Sequence, residues 1–557
     1  MARMLDLHGD RSRIAAPSVL PREAGGVARR GGRGWYALWL VALTGFAVLH
    51  CMHLRADFPN HSPWFMDWAK YTDEGWYGDA AVRAHLAGNG YLPGDFNPAV
   101  AVPVWPFLEW MLFFLTGVTP EAARGLAVAV FFLNLLLSYM LLWARGLRWA
   151  ALLGVTLMLT SPFLYCFSRL AILEPLLTAF LLAALNLAVR LPGLRRPVWG
   201  AAGVGLLFAL AMLTKTTAVF LLPAIGWAVL AALWATRKRA ILCGLAAGST
   251  FLAGYGLWMA LLVRWGLLGD YRYYFSVNNY PRPHEIYWPI VSLWWSFHGG
   301  LWIDKVLILL AGVIVIAALA FWREAWGRGL LLDPVFGASV WAIAGCILFM
   351  TYQNHPQPRY FAVAAVFCFL LVARGVEAMI RADRPRRRYA IPMRKLGWLA
   401  AGVAVVAACL GGARTASYAF HPEYTFVNAA EGLTHYIDTH PNGKRLLLSI
   451  SGDEITLITH LPSLCDDFGT TDLREKIGIY QPGWYAAWND FDPVTLEDLH
   501  VHYSIEQVAE FPAFDDPQRN LLVLFKLHPL PGGQVRDPQA QDLRNPLPDD
   551  SFDMPMQ

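Results

Sequence analysis

Asp73 and Glu74 stand side by side in a polar stretch, Tyr71-Thr-Asp-Glu-Gly-Trp-Tyr-Gly-Asp79, flanked by Lys70 and Arg83. A carboxylate there can take the proton of an attacking hydroxyl, with Asp73 as general base and Glu74 assisting. It can also orient an acceptor or hold a divalent cation through oxygen. The bland alternative is a solvated acidic loop. Glu174 follows Arg169 at the mouth of an apolar helix. A carboxylate at a bilayer centre costs roughly 2.5–3.5 kcal/mol, and less near the interface, so function or pairing with Arg169 must keep it there. Lys215 ends one apolar run and the next begins at once. Its ammonium can snorkel to the interface or supply point charge to a phosphate. His355 and Arg359 share the short segment Thr351-Tyr-Gln-Asn-His-Pro-Gln-Pro-Arg-Tyr360, where an arginine fork matches phosphate oxygens. Capping and plain solvation are the alternatives for both. Glu74, His355 and His298 are of ligand type, but no spacing calls for a metal. A divalent cation is left open, and no other cofactor is implied.

These residues need a frame, and the composition names it. Of 557 residues, 56% are hydrophobic and 15% charged, with mean hydropathy +0.39. That is a polytopic membrane protein. Apolar stretches long enough to cross about 30 Å of hydrocarbon fall near 35–54, 122–143, 149–166, 171–189, 199–214, 216–235, 240–264, 301–322, 334–351, 360–380 and 396–413. They predict about 11 spans. Residues 103–118 are apolar too, but Pro103, Pro106 and Glu109 fit an interfacial helix better. Arg3, Arg11, Arg13, Arg22, Arg29, Arg30 and Arg33 place the arm 1–34 in the cytoplasm by the positive-inside bias. The same bias holds at Arg237-Lys-Arg239 and Arg384-Pro-Arg-Arg-Arg388.

The polar chemistry then falls outside, in the first external loop (55–121), in 265–300 and in the turn before Tyr360. The aromatics of 265–300, including Tyr271, Tyr273, Tyr274, Tyr280, Tyr287, Trp288, Trp294 and Trp295, suit sugar stacking, although an interfacial belt explains most of them. Residues 414–530 read as a small external α/β domain, with a helix over Val427–His440 and strands at Arg445–Ser451 and Asn520–Leu527. Residues 531–557 lack periodicity and read as a disordered tail. The 7 cysteines show neither metal nor disulfide spacing. The net charge of +4 sits in the cytoplasmic loops and implies no nucleic-acid partner. No phosphate-cradling glycine loop is present, so nothing suggests ATP-driven transport.

Several segments together resemble the GT-C class of integral-membrane glycosyltransferases, in its protein O-mannosyltransferase and aminoarabinose-transferase branch (glycosyltransferase family 39). They come in the family's order: Asp73-Glu74; then Val102-Pro-Val-Trp-Pro-Phe107; then Leu157–Glu174, ending in an acid; then Phe208-Ala-Leu-Ala-Met-Leu-Thr-Lys215; then Pro358-Arg-Tyr-Phe361. The likeness covers roughly residues 35–380. It departs at Glu174, where aspartate is commoner, and at Thr216, where glycine is usual. It also departs beyond Trp76, where an arginine is often found.

The resemblance implies a GT-C transmembrane catalytic domain (35–413) and a polyprenyl-phosphate sugar donor. The acceptor would be a lipid, glycan or protein of the cell envelope, and the reaction would face the periplasm of a cell inner membrane. It implies Asp73, Glu74 and Glu174 as catalytic residues, with Lys215, Arg359, His355 and Arg169 at the donor phosphate. If the acceptor is itself a phosphate, no base is needed and Asp73 only orients it. A transporter or flippase for a lipid-linked or polar substrate, or a non-catalytic family member, is the competing reading. A secondary transporter would show repeated, helix-broken halves, and no such hydropathy repeat is evident.

Overall fold

A computed structural model describes residues 32–57, 67–278, 304–352, 357–382, 393–489, 493–514 and 520–531. His355, His298, Tyr280, Tyr287, Trp288, Trp294 and Trp295 lie outside the described residues, as do most of the arm and the tail.

Each of the 11 predicted apolar segments coincides with helix. The helices are α1 (Gly32–Cys51), α2 (Asp73–Ala87), α3 (Val104–Thr116), α4 (Pro120–Trp143), α5 (Arg148–Thr160), α6 (Pro162–Phe167), α7 (Leu173–Ala188), α8 (Pro197–Thr214), α9 (Leu222–Ala232), α10 (Arg237–Trp265), α11 (Leu268–Tyr273), α12 (Lys305–Ala320), α13 (Ala325–Leu331), α14 (Pro334–Tyr352), α15 (Phe361–Ile380) and α16 (Met393–Phe420). Among the described residues, six are long and apolar enough to cross a membrane: α4, α8, α10, α14, α15 and α16. The remaining predicted segments fall on the shorter apolar helices α1, α5, α7, α9 and α12.

Two predicted spans are interrupted for visible reasons. At Ser161-Pro162 the proline has no N–H to continue α5, and Ser161 Oγ instead caps α6 by accepting from Leu164 N at 3.2 Å. After Lys215 the chain makes a 3-10 turn (Thr216–Leu221) before α9 begins. The α3 helix has 13 residues, about 20 Å at 1.5 Å per residue, which is too short to span. It buries Trp105, Glu109 and Phe113 and leaves Phe107, Trp110, Met111, Phe114 and Leu115 exposed.

The core of the bundle is built around α15, whose residues are almost all buried. Apolar faces of α4, α5, α7, α8, α9, α12 and α14 close on it. The outward side chains of α10, among them Leu242, Leu245, Leu252 and Leu257, are exposed and apolar, as a lipid-facing surface requires.

The α16 helix continues to Phe420, so the domain boundary expected at 413 falls inside a helix. Beyond it lie α17 (Thr425–Thr439), α18 (Gly452–Thr459), α19 (Leu473–Tyr480) and α20 (Pro493–His500), with strands β1 (Leu447–Leu448), β2 (Ser463–Leu464), β3 (Trp484–Trp488), β4 (Tyr503–Pro512) and β5 (Leu521–Pro529). The sheet order is β2-β1-β3-β5-β4. The β1 strand pairs parallel to β2 and β3, and β5 antiparallel to β3 and β4. One face buries Leu447, Trp484, Ala486, Leu522 and Leu524 against α17 and α18; the other buries Leu448, Tyr485, Val523, Phe525 and Leu527. Alternation along each strand produces these two faces.

The α2 segment runs between this domain and the bundle. Tyr71 joins the apolar core beneath α17. Trp76 and Tyr77 join a second core with Trp105, Leu173 and Leu457.

Candidate active site

Asp73 is the first residue of α2 and is fully buried. An acid in the first helical turn is favoured by the helix dipole. Thr72 Oγ1 donates to Asp73 Oδ1 at 3.3 Å. Arg359 Nε lies 2.8 Å from Asp73 Oδ2, a charge pair whose N–H is not aimed along the contact. Burial lifts the Asp73 carboxyl to about 6, against the pull of Arg359. Asp67 and Glu174 add to the rise and Lys215 opposes it, so all five groups feel one another.

Arg359 occupies the 3-10 turn Pro358–Tyr360 that leads into α15. Its backbone N–H donates to Asp67 Oδ2 at 2.8 Å and its Nη1 to Asp67 Oδ1 at 2.5 Å. The fork is therefore shared by two aspartates. Lys215 sits at the break after α8 in extended conformation, φ −153° and ψ 127°. The break turns its ammonium inward, where Nζ meets Glu174 Oε1 at 2.5 Å and lies 4.7 Å from the centre of the Tyr360 ring. Glu174 lies in the first turn of α7, and its Oε2 has no hydrogen-bond partner among the described residues. Beside this pair is a small cleft lined by Glu174, Lys215 and Tyr360 and by the apolar Leu177, Phe220, Leu221, Phe349 and Val363.

Four of the residues singled out in the sequence, Asp73, Glu174, Lys215 and Arg359, thus come together from four different elements. Two others, Glu74 and Arg169, do not join them. Glu74 points away from Asp73 toward Arg124, whose Nε and Nη2 approach it at 2.8 and 2.5 Å. Glu74 Oε1 also accepts from Ala171 N at 2.7 Å. With both oxygens occupied, Glu74 is not poised as a second base or a cation ligand, which corrects both expectations. Among the described residues, no group of three or more His, Cys, Asp or Glu is placed to hold a metal.

Arg169 does not pair with Glu174 as the spacing suggested. It donates to Tyr165 Oη and to the carbonyls of Met52 and His53, in a cavity with Asp57, Tyr418 and His421. His355 falls outside the described residues.

Asp67 and Arg124 were missed. Asp67 follows Trp64-Phe-Met in the same loop as Asp73, but one acid among aromatics carries no spacing signal. Arg124 reads as an ordinary basic residue at a helix start.

No family model matches this chain, and no curated protein of similar sequence was found. The fold does have solved counterparts. The chain is similar to the crystal structure of ArnT from Cupriavidus metallidurans bound to undecaprenyl phosphate, with TM-score 0.58 and 14% identity over 88% of this chain and 98% of that one. The apo form of the same protein gives TM-score 0.57 and 14% identity over 89% and 98%. At such low identity the likeness establishes the fold alone, which is of the GT-C type.

Proposed function

We propose that this protein moves a sugar from a polyprenyl-phosphate donor to a cell-envelope acceptor, a lipid, glycan or protein, at the outer face of a bacterial inner membrane. The observation that carries the reading is Asp73, buried beside Arg359 and within electrostatic reach of the Lys215–Glu174 pair. The neighbour's complex with undecaprenyl phosphate supports a donor of this kind.

In this reading Asp73 is the general base. A hydroxyl holds its proton at neutral pH, so a carboxylate must accept it as the acceptor oxygen bonds to the anomeric carbon. A base with pKa near 6 is ionised at neutral pH yet more basic than a free aspartate, which suits proton abstraction. The departing group is polyprenyl phosphate, and its developing charge needs fixed cations in a dry site. Arg359 supplies a fork and Lys215 a point charge. Both are already neutralised, by Asp67 with Asp73 and by Glu174. An entering phosphate therefore competes with carboxylates for the same cations. Taking over Arg359 would loosen its hold on Asp73, so donor binding itself frees the base. The apolar cleft beside Lys215 suits the first isoprene units. Glu174, with its unpartnered Oε2, is left to hold Lys215 and meet the sugar or the acceptor.

The test uses purified protein, in detergent for transfer and reconstituted into lipid vesicles for movement, with labelled polyprenyl-phosphate sugars and an envelope extract as acceptor pool. Transfer of label accompanied by release of polyprenyl phosphate is the expected result. Label moving across a vesicle membrane with the donor intact would establish a transporter instead. Donor binding with neither outcome would point to a non-catalytic member.

A further inference from the structure

The element that carries Asp73 is held from the soluble domain. Gly75, two residues after Asp73, donates its N–H to Glu454 Oε2 at 2.8 Å. A Cβ at Gly75 would lie 2.1 Å from the backbone N of Glu454, so the two segments touch directly and any side chain here would force their backbones apart. Glu454 lies in the first turn of α18, and its carboxyl also lies against Glu74. Burial, and then the Glu74 carboxylate, push the Glu454 carboxyl well above the usual range. Two turns further along α2, Arg83 bridges Asp79 at 2.7 Å, Asp95 at 2.9 Å and Asp453 at 3.1 Å. Lys476 of the soluble domain closes the network on Asp95 at 3.0 Å. The α2 helix is thus fixed at its third turn by charge and at its first turn by Glu454.

We propose that Glu454, supplied by the soluble domain, is a positioning residue that fixes the first turn of α2 and so aims Asp73 at the reacting centre. The inference rests on the role proposed above for Asp73. Glu454 reaches Asp73 only through Gly75 and Glu74, whereas the groups proposed for the donor phosphate, Arg359 and Lys215, stand on other elements. Losing Glu454 lowers turnover and leaves donor affinity in place. A misplacement of about 1 Å can cost roughly 100-fold in rate.

The experiment compares Glu454→Ala, Glu454→Asp and Glu454→Gln in the full-length protein. It measures kcat and donor KM, together with amide hydrogen exchange over residues 72–77 and over β3 to β5. Glutamine can accept from Gly75 and donate to Glu74, so Glu454→Gln keeps kcat within about threefold of wild type. Glu454→Ala loses roughly 10- to 100-fold in kcat, and Glu454→Asp loses an intermediate amount. In both, donor KM stays within about threefold, exchange rises at 72–77 and the sheet stays protected. If the alanine variant unfolds the sheet, the milder aspartate variant decides. The proposal is overturned if both shortened variants keep wild-type kcat, if kcat and KM worsen together, or if glutamine is as damaging as alanine. Should wild type transfer no sugar from any donor, the glycosyltransferase reading fails by itself. Exchange at 72–77 then still decides whether Glu454 fixes the turn: rising in Glu454→Ala but not in Glu454→Gln supports it, and no rise overturns it.

Discussion

Two helices of this molecule carry the same dipeptide in their first turn. The α2 helix starts on Asp73-Glu74, α18 starts on Gly452 and continues Asp453-Glu454, and the two first turns pack against each other at Gly75. Their glutamates meet: Arg124 donates to Glu74 and acts on Glu454 by its charge, while the Gly75 N–H donates to Glu454. Their aspartates diverge. Asp453 turns to Arg83 and Ser463, at 3.1 Å each, inside a network of structural pairs. Asp73 turns into the bundle, where Arg359 is shared with Asp67 and the Lys215–Glu174 pair stands beside an open cleft. The same residue pair in two helical first turns thus acquires different chemistry from what faces it. A carboxylate whose cation also faces a cleft can be released to react. One enclosed by its partners holds two domains together.

The contrast can be broken most sharply by paired substitution. Asp73→Asn should lower transfer by roughly 10²- to 10⁴-fold, the usual worth of a general base, with donor binding retained in a labelled-lipid binding assay. Asp453→Asn should keep turnover within about 10-fold, because it touches no proposed substrate group. Its cost should appear in thermal stability instead, on the order of 1–3 kcal/mol for a weakened buried charged hydrogen bond. Equal losses from the two would erase the distinction.

Arg359→Lys keeps the charge and removes the fork. Lysine cannot serve Asp67 and Asp73 together, so transfer should fall roughly 10- to 100-fold with a raised donor KM. Wild-type rates in this variant would mean that charge alone suffices. A smaller effect is expected at the seam between the two helices. Gly75→Ala forces a methyl into the Glu454 backbone and should cost about 1–3 kcal/mol, read as a lowered midpoint of thermal unfolding in detergent. An unchanged midpoint would show that the seam is looser than its geometry.

Much of this arrangement was legible in the chain, for identifiable reasons. Apolar runs report helices because a bilayer demands internal satisfaction of every backbone group, and all 11 segments coincide with helix. The α/β domain showed through strand and helix periods, with β5 (Leu521–Pro529) close to the run expected at 520–527. Residue type and placement singled out Asp73, Glu174, Lys215 and Arg359. Partners were not legible. Glu174 and Lys215 are 41 residues apart, Glu74 and Arg124 are 50 apart, and Asp67 and Arg359 are 292 apart. Nearest charges in sequence, such as Arg169 for Glu174, mislead because packing decides pairing. The α18 dipeptide went unnoticed because it lies in a soluble domain, where an acidic helix start is ordinary.

The most direct measurement of the central claim is the pH profile of kcat/KM for the donor with a hydroxyl acceptor, which reports the base before the donor phosphate takes over Arg359. Asp73 is held near 6 chiefly by burial, and the reactive form is the ionised one. The value of kcat/KM should therefore rise with pH through an acid limb near 6 in wild type and in Asp453→Asn. The residual activity of Asp73→Asn should lack that limb. A limb that survives in Asp73→Asn, or one that disappears in Asp453→Asn, would contradict the assignment of the base.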